Sequence, residues 1–371
     1  MSDAPSILIA GAGGIGEATA FMLLEWADVP VNRVYIADAN ADQLSRALRF
    51  VGDSDRLVPV PQAISANPTG PLAAALEASA VVLDCLPGSL APTVAKLAMD
   101  AGCHYANLTE YVAETNAIME MAEGAETAFL LQTGLAPGTV NVLAHQLIRR
   151  FEASGGTVVA VEMKVGALTR HASGPHHYGF TWSPIGVATE YVKPAIVLRG
   201  GQVQEVDALS ERGQIVIQGV TYEDDLTSGG AADMPQHFAG KIKTLDYKTL
   251  RYPGHYAWVE EMMYETGRDP DMLQARMERE IPMEEDDVVI VYASVEGADE
   301  DGRRRRIARS FVIDPVDTPN GRMRAIQATT AAGLAESAKV LLAGSHKGAV
   351  LQMDLDPDAF LNGAFVGRVY R

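Results

Sequence analysis

The sequence is poor in cysteine, in aromatic residues and in positive charge. Its two cysteines, Cys85 and Cys103, are too few for a disulfide framework and are expected as reduced thiols filling small buried spaces. Lys and Arg number 30 against 48 Asp and Glu, and the net charge of −18 sets the surface against nucleic acid and anionic membranes. No apolar run approaches the ~20 residues that cross a bilayer. The opening stretch MSDAPSILIAG lacks the basic region of a signal peptide and enters a strand almost at once. The His176–His177 pair has no third ligand at metal spacing, so no metal site is expected. A cytoplasmic protein is the expectation.

What is present is an alternation that stops. Residues 6–150 read as strand and helix in turn, through SILIAG, RVYIAD, AVVLDCL, CHYANL and TAFLLQ. Strands spaced by helices imply right-handed crossovers and a parallel sheet. From about Glu152 the strands follow one another directly, and DVVIVYASVEG and RRRRIARSFVI face each other across ADEDG as a hairpin. That grammar predicts a mostly antiparallel sheet with a few helices. RAIQATTAAGLAESAKVLLAG, residues 324–344, then reads as an Ala-rich helix returning to the first domain. The expected fold class is α/β: a Rossmann doubly wound sheet from 1–145 and 324–371, with an inserted α+β domain over 146–323. A length of 371 residues agrees with two domains. The Arg303–Arg306 run reads as a solvated strand.

ILIAGAGGIGEATA places Gly11, Gly13 and Gly16 in G-x-G-x-x-G spacing after an apolar strand and before a helix. Gly14 and Ile15 complete the loop. The next strand ends in Asp38, 22 residues beyond Gly16, where a ribose-binding acid is expected. The helix N-terminus offers free N–H groups and a partial positive charge to a pyrophosphate. Asp38 would repel a 2′-phosphate, and Ala39 and Asn40 supply no cation to offset it. NAD is therefore favoured over NADP.

KTLDYKTLRYPGH spaces Tyr247, Thr249 and Arg251 by two, so a strand would aim all three to one side. A guanidinium at such a place suits a carboxylate, which it grips with a planar fork. The alternative is a structural ion pair to one of the many acids.

The stretches AGAGGIG with YIADAN, LTEYVAET, QTGLAPGTVNVLA, TWSPIGVATEYVKPA, VTYEDDLTSGG and KTLDYKTLRYPGH together resemble the saccharopine dehydrogenase-like family, and within it the L-lysine 6-dehydrogenases. The resemblance implies a homodimer, formed through the inserted domain. It implies that Arg251 binds a substrate α-carboxylate, with Thr249 and Tyr247 beside it. Saccharopine reductases of the family carry an aspartate where this chain has Ala136, which points towards the amine-releasing members. The implied activity is NAD-dependent oxidation of an amino-acid side-chain amine. The 6-amino group of L-lysine comes first, giving a cyclising semialdehyde and ammonia. An opine-like secondary-amine oxidoreductase, with Arg170 as the second carboxylate site, is the alternative. A non-catalytic NAD-binding sensor stands behind both. The nicotinamide is expected at the carboxyl ends of the parallel strands, by Cys85, Leu86 and Pro87 and by Gly134, Leu135 and Ala136. Glu110 is a candidate for neutralising the substrate ammonium, or else a helix N-terminal charge. Tyr111 is a candidate for lining the site, and Trp182 for an apolar wall or core filler. The pair at His176 and His177 reads most simply as a solvent-facing loop, with His177 the candidate base.

Overall fold

The computed structural model describes residues 4–110 and 112–371. The chain forms two compact units. The first holds the residues up to Thr139 with Val316–Met323 and Gln327–Arg371, and the second holds Val140–Pro315 with Arg324–Ile326.

The first unit is built on a parallel sheet of β1 (Ser6–Ala10), β2 (Val34–Ala37), β3 (Leu57–Val60), β4 (Ser79–Asp84), β5 (His104–Asn107), β6 (Ala128–Leu130) and a late strand, Gly348–Val350. In space the late strand lies at one edge, followed by β6, β5, β4, β1, β2 and β3. All five residues of β1 are buried, as a strand covered on both faces requires. Chain direction across the sheet reverses between β1 and β4, so their carboxyl ends flank a switch point. Helix α1 (Gly14–Glu25) is buried from Gly16 to Leu24 and behaves as a core helix. Helix α2 (Ala41–Val51) buries only Leu44, Ala47, Phe50 and Val51, and the Asn40 side chain caps it by accepting from Asp42 N and Gln43 N.

Two strands of this sheet are absent from the sequence reading. β3 is four residues long and contains Pro59, which cannot donate to a ladder and is tolerated because β3 is the sheet edge. The late strand has three residues and pairs only with β6.

The second unit carries β7 (Thr157–Thr169), β8 (Ala195–Arg199), β9 (Gln202–Val206), β10 (Gly213–Ile217), β11 (Val220–Leu226), β12 (Thr244–Arg251), β13 (Asp287–Ala298) and β14 (Arg304–Ile313). The main order is β10, β11, β12, β7, β13, β14, with β8 joined to β12 and β9 to β8. Every pairing is antiparallel except that of β12 with β7, so the sheet is mixed. β13 and β14 form the expected hairpin. Arg304, Arg305 and Arg306 are exposed; Arg304 pairs with Glu296 and Arg306 with Glu162, as a solvated strand allows. Leu168, Tyr178, Tyr191, Leu250, Tyr256 and Ile290 are central to the core on the helical side. Among the described residues no helix is long and apolar enough to cross a membrane.

Candidate active site

The glycine loop follows β1 and opens α1, and its glycines have separable reasons. Gly11 has a φ of +104°, and a Cβ there would stand 3.0 Å from the Cys85 carbonyl oxygen. A Cβ on Gly16 would stand 1.9 Å from the Gly11 carbonyl oxygen, so only glycine lets the helix come this close. Gly13 is different: its Cβ would meet nothing nearer than Gln43 Oε1 at 3.8 Å, so its surroundings are open. Gly13 is also the N-cap of α1 and has no side-chain cap, which leaves the first N–H groups of the helix for an anion. Beside Gly14 and Ile15, Gln327 donates to the Gly14 carbonyl at 3.2 Å and holds the loop from the helix Ala325–Leu342.

Asp38 closes the loop from the end of β2. Its Oδ2 accepts from Ala12 N at 2.8 Å and its Oδ1 from Asn40 N at 2.8 Å. Two backbone donors fix the carboxylate while each oxygen keeps a further lone pair for a ribose hydroxyl. Arg46, a cation on α2, donates from Nε to Glu17 Oε2 at 2.9 Å. These residues fit a dinucleotide, with the pyrophosphate at the α1 N-terminus and the ribose at Asp38.

Cys85, Leu86 and Pro87 follow β4, and Leu86 Cδ2 would lie 3.2 Å from a Cβ on Gly11, so the two loops touch. Cys85 is half-buried rather than buried, whereas Cys103 is buried and donates to the Ser79 carbonyl. Asp84, the last residue of β4, is 3% exposed. It accepts from Leu86 N at 3.0 Å and from the Tyr105 hydroxyl at 2.8 Å. Burial outweighs both hydrogen bonds and pushes its carboxyl from the ordinary 3.8 up to about 6. Gly134, Leu135 and Ala136 lie beyond β6 in a tight loop closed by Thr139 N donating to the Gly134 carbonyl at 2.9 Å. Glu110 is half-buried and lies two positions before Val112, the first described residue of the helix Val112–Met121. Tyr111 lies outside the described residues.

The second unit carries the residues expected to bind a substrate carboxylate. Tyr247, Thr249 and Arg251 sit on β12 with relative exposures of 4%, 3% and 1%. Tyr247 packs its ring over Gly230, and Thr249 exchanges a hydroxyl hydrogen bond of 2.6 Å with Thr227. Arg251 lies 4.8 Å from the ring centre of Tyr178 and 5.5 Å from that of Tyr191. Its Nε donates to Tyr191 Oη at 2.6 Å and its Nη1 to the Leu250 carbonyl at 2.9 Å. Its Nη2 is buried and has no hydrogen-bond partner among the described residues. An unsatisfied donor on a buried cation is costly unless something arrives to meet it.

His255, which the sequence reading passed over, extends this group. Its Nδ1 is 2.7 Å from the His176 carbonyl and its Nε2 is 2.9 Å from Tyr191 Oη. It is 0% exposed, and burial with the Arg251 cation holds its pKa well below the ordinary histidine value, so the ring is neutral. The only local signal was the Pro-Gly-His turn, where Gly254 has a φ of +104°.

The expectation of a solvent-facing histidine pair fails for His176. It is 5% exposed and its ring meets Trp258 edge-on at 5.7 Å, because the second unit folds this polar loop inward. His177 is half-buried, with a φ of +52°, and its Nε2 would lie 2.9 Å from a Cβ on Gly254. It thus reaches the turn that follows Arg251. Trp182 packs on Gly186, whose Cβ would come within 2.4 Å of the indole, and serves the local core. Arg170 is at the surface, tied to Asp286 at 3.3 Å and Asp314 at 3.0 Å.

A parallel sheet with a glycine loop at its switch point and an acid ending the second strand defines a dinucleotide-binding unit. Residues 7–130 match the saccharopine dehydrogenase NADP binding domain, and residues 134–363 match the saccharopine dehydrogenase C-terminal domain. The chain belongs to the saccharopine dehydrogenase family. It is 28% identical over 191 residues to the mitochondrial alpha-aminoadipic semialdehyde synthase of Rattus norvegicus, covering 48% of this chain and 20% of that protein. It is 30% identical over 129 residues to the Arabidopsis thaliana alpha-aminoadipic semialdehyde synthase, covering 34% of this chain and 12% of the relative. The chain therefore spans only a minor part of these curated relatives. Among solved structures, the apo saccharopine dehydrogenase (L-Glu forming) of Saccharomyces cerevisiae superposes with a TM-score of 0.75 at 16% identity, covering 99% of this chain and 98% of the other. The Legionella pneumophila homospermidine synthase, solved with NAD, gives 0.67 at 14% identity, covering 99% and 90%. These two likenesses establish the fold.

Proposed function

We propose that this protein is an NAD-dependent dehydrogenase that removes the side-chain amine of an amino acid, with the 6-amino group of L-lysine as first candidate. The overall change would convert the amine carbon to an aldehyde, release ammonia and reduce one NAD, with one water consumed. Bound NAD would supply the hydride acceptor. The glycine loop and Asp38 would hold it, and Arg251 would take the α-carboxylate of the substrate. The observation that carries the reading is the buried Nη2 of Arg251, a donor left over after the fork has made its internal bonds.

The likeness to a saccharopine dehydrogenase (L-Glu forming) and a homospermidine synthase favours a second reading, formation or cleavage of a secondary amine, which for two amino-acid partners would need a second carboxylate site. The Arg170 proposed for a second carboxylate is already neutralised by Asp286 and Asp314, which supports the first reading. A panel of primary amines with NAD, and of oxo acids with amino acids and the reduced cofactor, separates the two. Ammonia release from lysine supports the deaminase, and a secondary-amine product with no ammonia overturns it.

For the cofactor, Asp38 presents a fixed carboxylate where a 2′-phosphate would lie, and Arg46 is engaged by Glu17. The wild type should prefer NAD. Asp38→Ala combined with Ala39→Arg should shift the kcat/KM ratio towards NADP by at least ~10-fold, which is about 1.4 kcal/mol. Steady-state rates with both cofactors test it, and an NADP preference in the unmodified protein would reject it.

A further inference from the structure

We infer that His255, acting through Tyr191, is a positioning residue that fixes the Arg251 guanidinium with Nη2 left to meet a substrate carboxylate. The inference deepens the proposed function and rests on its assignment of Arg251.

The geometry leaves one consistent assignment of protons. The His176 carbonyl can only accept, so His255 Nδ1, 2.7 Å away, must carry a hydrogen. A neutral ring then leaves Nε2 bare, and the Tyr191 hydroxyl 2.9 Å away must donate to it. With its hydrogen directed at His255 Nε2, Tyr191 presents only lone pairs to Arg251, whose Nε donates at 2.6 Å. Tyr191 is fully buried, and that burial holds its phenol well above the ordinary value, so the hydroxyl keeps its hydrogen.

Every link thus points from Arg251 towards the His176 carbonyl. The opposite tautomer of His255 would set the bare Nδ1 against the His176 carbonyl, two acceptors 2.7 Å apart, and would turn the Tyr191 hydrogen away from the ring. Nε is held by this chain and Nη1 by the Leu250 carbonyl, so the fork cannot turn about its last bonds, and the directions of the free Nη2 hydrogens are fixed in its plane. The Tyr178 ring, two residues from the His176 anchor, covers the guanidinium face at 4.8 Å. One short loop therefore supplies both the end of the chain and the lid of the cation. Among the described residues no carboxylate accepts a hydrogen bond from this guanidinium, and the buried Glu190 acts on it through charge alone.

The test uses Tyr191→Phe, His255→Leu and His255→Gln in the full-length protein, with L-lysine and the carboxylate-free diamine cadaverine as substrates. Tyr191→Phe removes one oxygen and should raise KM for lysine ~10-fold, the worth of one hydrogen bond to a charged group, with kcat within ~3-fold. His255→Leu should do the same. His255→Gln, whose amide oxygen can stand where Nε2 accepts, should stay within ~3-fold of wild type. KM for cadaverine should not move in any of them. In an Arg251→Gln background, Tyr191→Phe should add nothing, since the residue it acts through is gone. Equal effects on both substrates, or full additivity with Arg251→Gln, would assign the group a structural role and overturn the inference. If Arg251→Gln alone leaves lysine KM unchanged, the carboxylate assignment falls and takes this inference with it. A large Arg251→Gln effect with a silent Tyr191→Phe overturns the positioning role alone. Should His255→Leu fail to fold, the single-atom change at Tyr191 still decides.

Discussion

Arg251→Lys should lower kcat/KM for a carboxylate-bearing amine by about 30-fold to several thousand-fold, the ~2–5 kcal/mol typical of truncating one partner of a desolvated charge pair. Lysine preserves the charge but not the fork. A point cation cannot donate to Tyr191 Oη, the Leu250 carbonyl and an incoming carboxylate in one plane. Cadaverine, with no carboxylate, should be a poor substrate for the wild type and lose little further in the variant. The comparison needs a folding control, because Arg251 is among the largest fully buried side chains and its removal leaves a gap between two tyrosine rings. Circular dichroism and NAD affinity supply that control. Equal losses on lysine and cadaverine would make Arg251 a support of the fold.

The second large effect concerns stability. Burial pushes the Asp84 carboxyl from 3.8 up to about 6, so between about pH 4 and pH 6 the folded chain keeps a proton that the unfolded chain has released. Stability attributable to this group therefore falls as pH rises through that window and stays low above it, by ~3 kcal/mol in all. Asp84→Asn should remove the penalty. The asparagine oxygen can still accept from Leu86 N, and its amide can donate to the Tyr105 oxygen, whose own hydrogen can turn to the Ala91 carbonyl at 3.3 Å. The variant should match the wild type near pH 4 and exceed it by up to ~3 kcal/mol at pH 7 in chemical denaturation. A difference between the two proteins that does not change with pH would show that Asp84 does not titrate in this window.

The parts of the molecule legible in the sequence are those whose physics is local. β1 announces itself because a strand buried on both faces is an uninterrupted apolar run. Gly11, Gly16 and Asp38 are legible because the tight turn, the close helix and the ribose acid lie at fixed distances along one βαβ unit. β3 was missed because Pro59 argues against a strand, and its edge position excuses the proline only once the sheet is known. The Arg251 network was half legible. Alternation along β12 gave Tyr247, Thr249 and Arg251, but the partners Tyr178, Tyr191 and His255 are up to 77 residues apart and share no period. His176 was misjudged for the same reason: its loop is polar in sequence, and Trp258, which covers it, comes from a distant helix.

The late strand has a bearing on how the chain is made. Gly348–Val350 closes the edge of β6, and Gln352 donates its amide to the Leu131 and Gln132 carbonyls at 2.9 and 2.6 Å. When a ribosome has finished Thr139, these acceptors are exposed and unmet. About 200 further residues must be translated before their partners emerge, a delay of roughly 10–40 s at ordinary translation speeds. Throughout that interval the nascent dinucleotide unit presents an open parallel edge, the kind of surface that recruits chaperones or pairs with a neighbouring chain. Slowing translation across the second unit would lengthen this exposure, and should lower the yield of folded protein without altering a single residue.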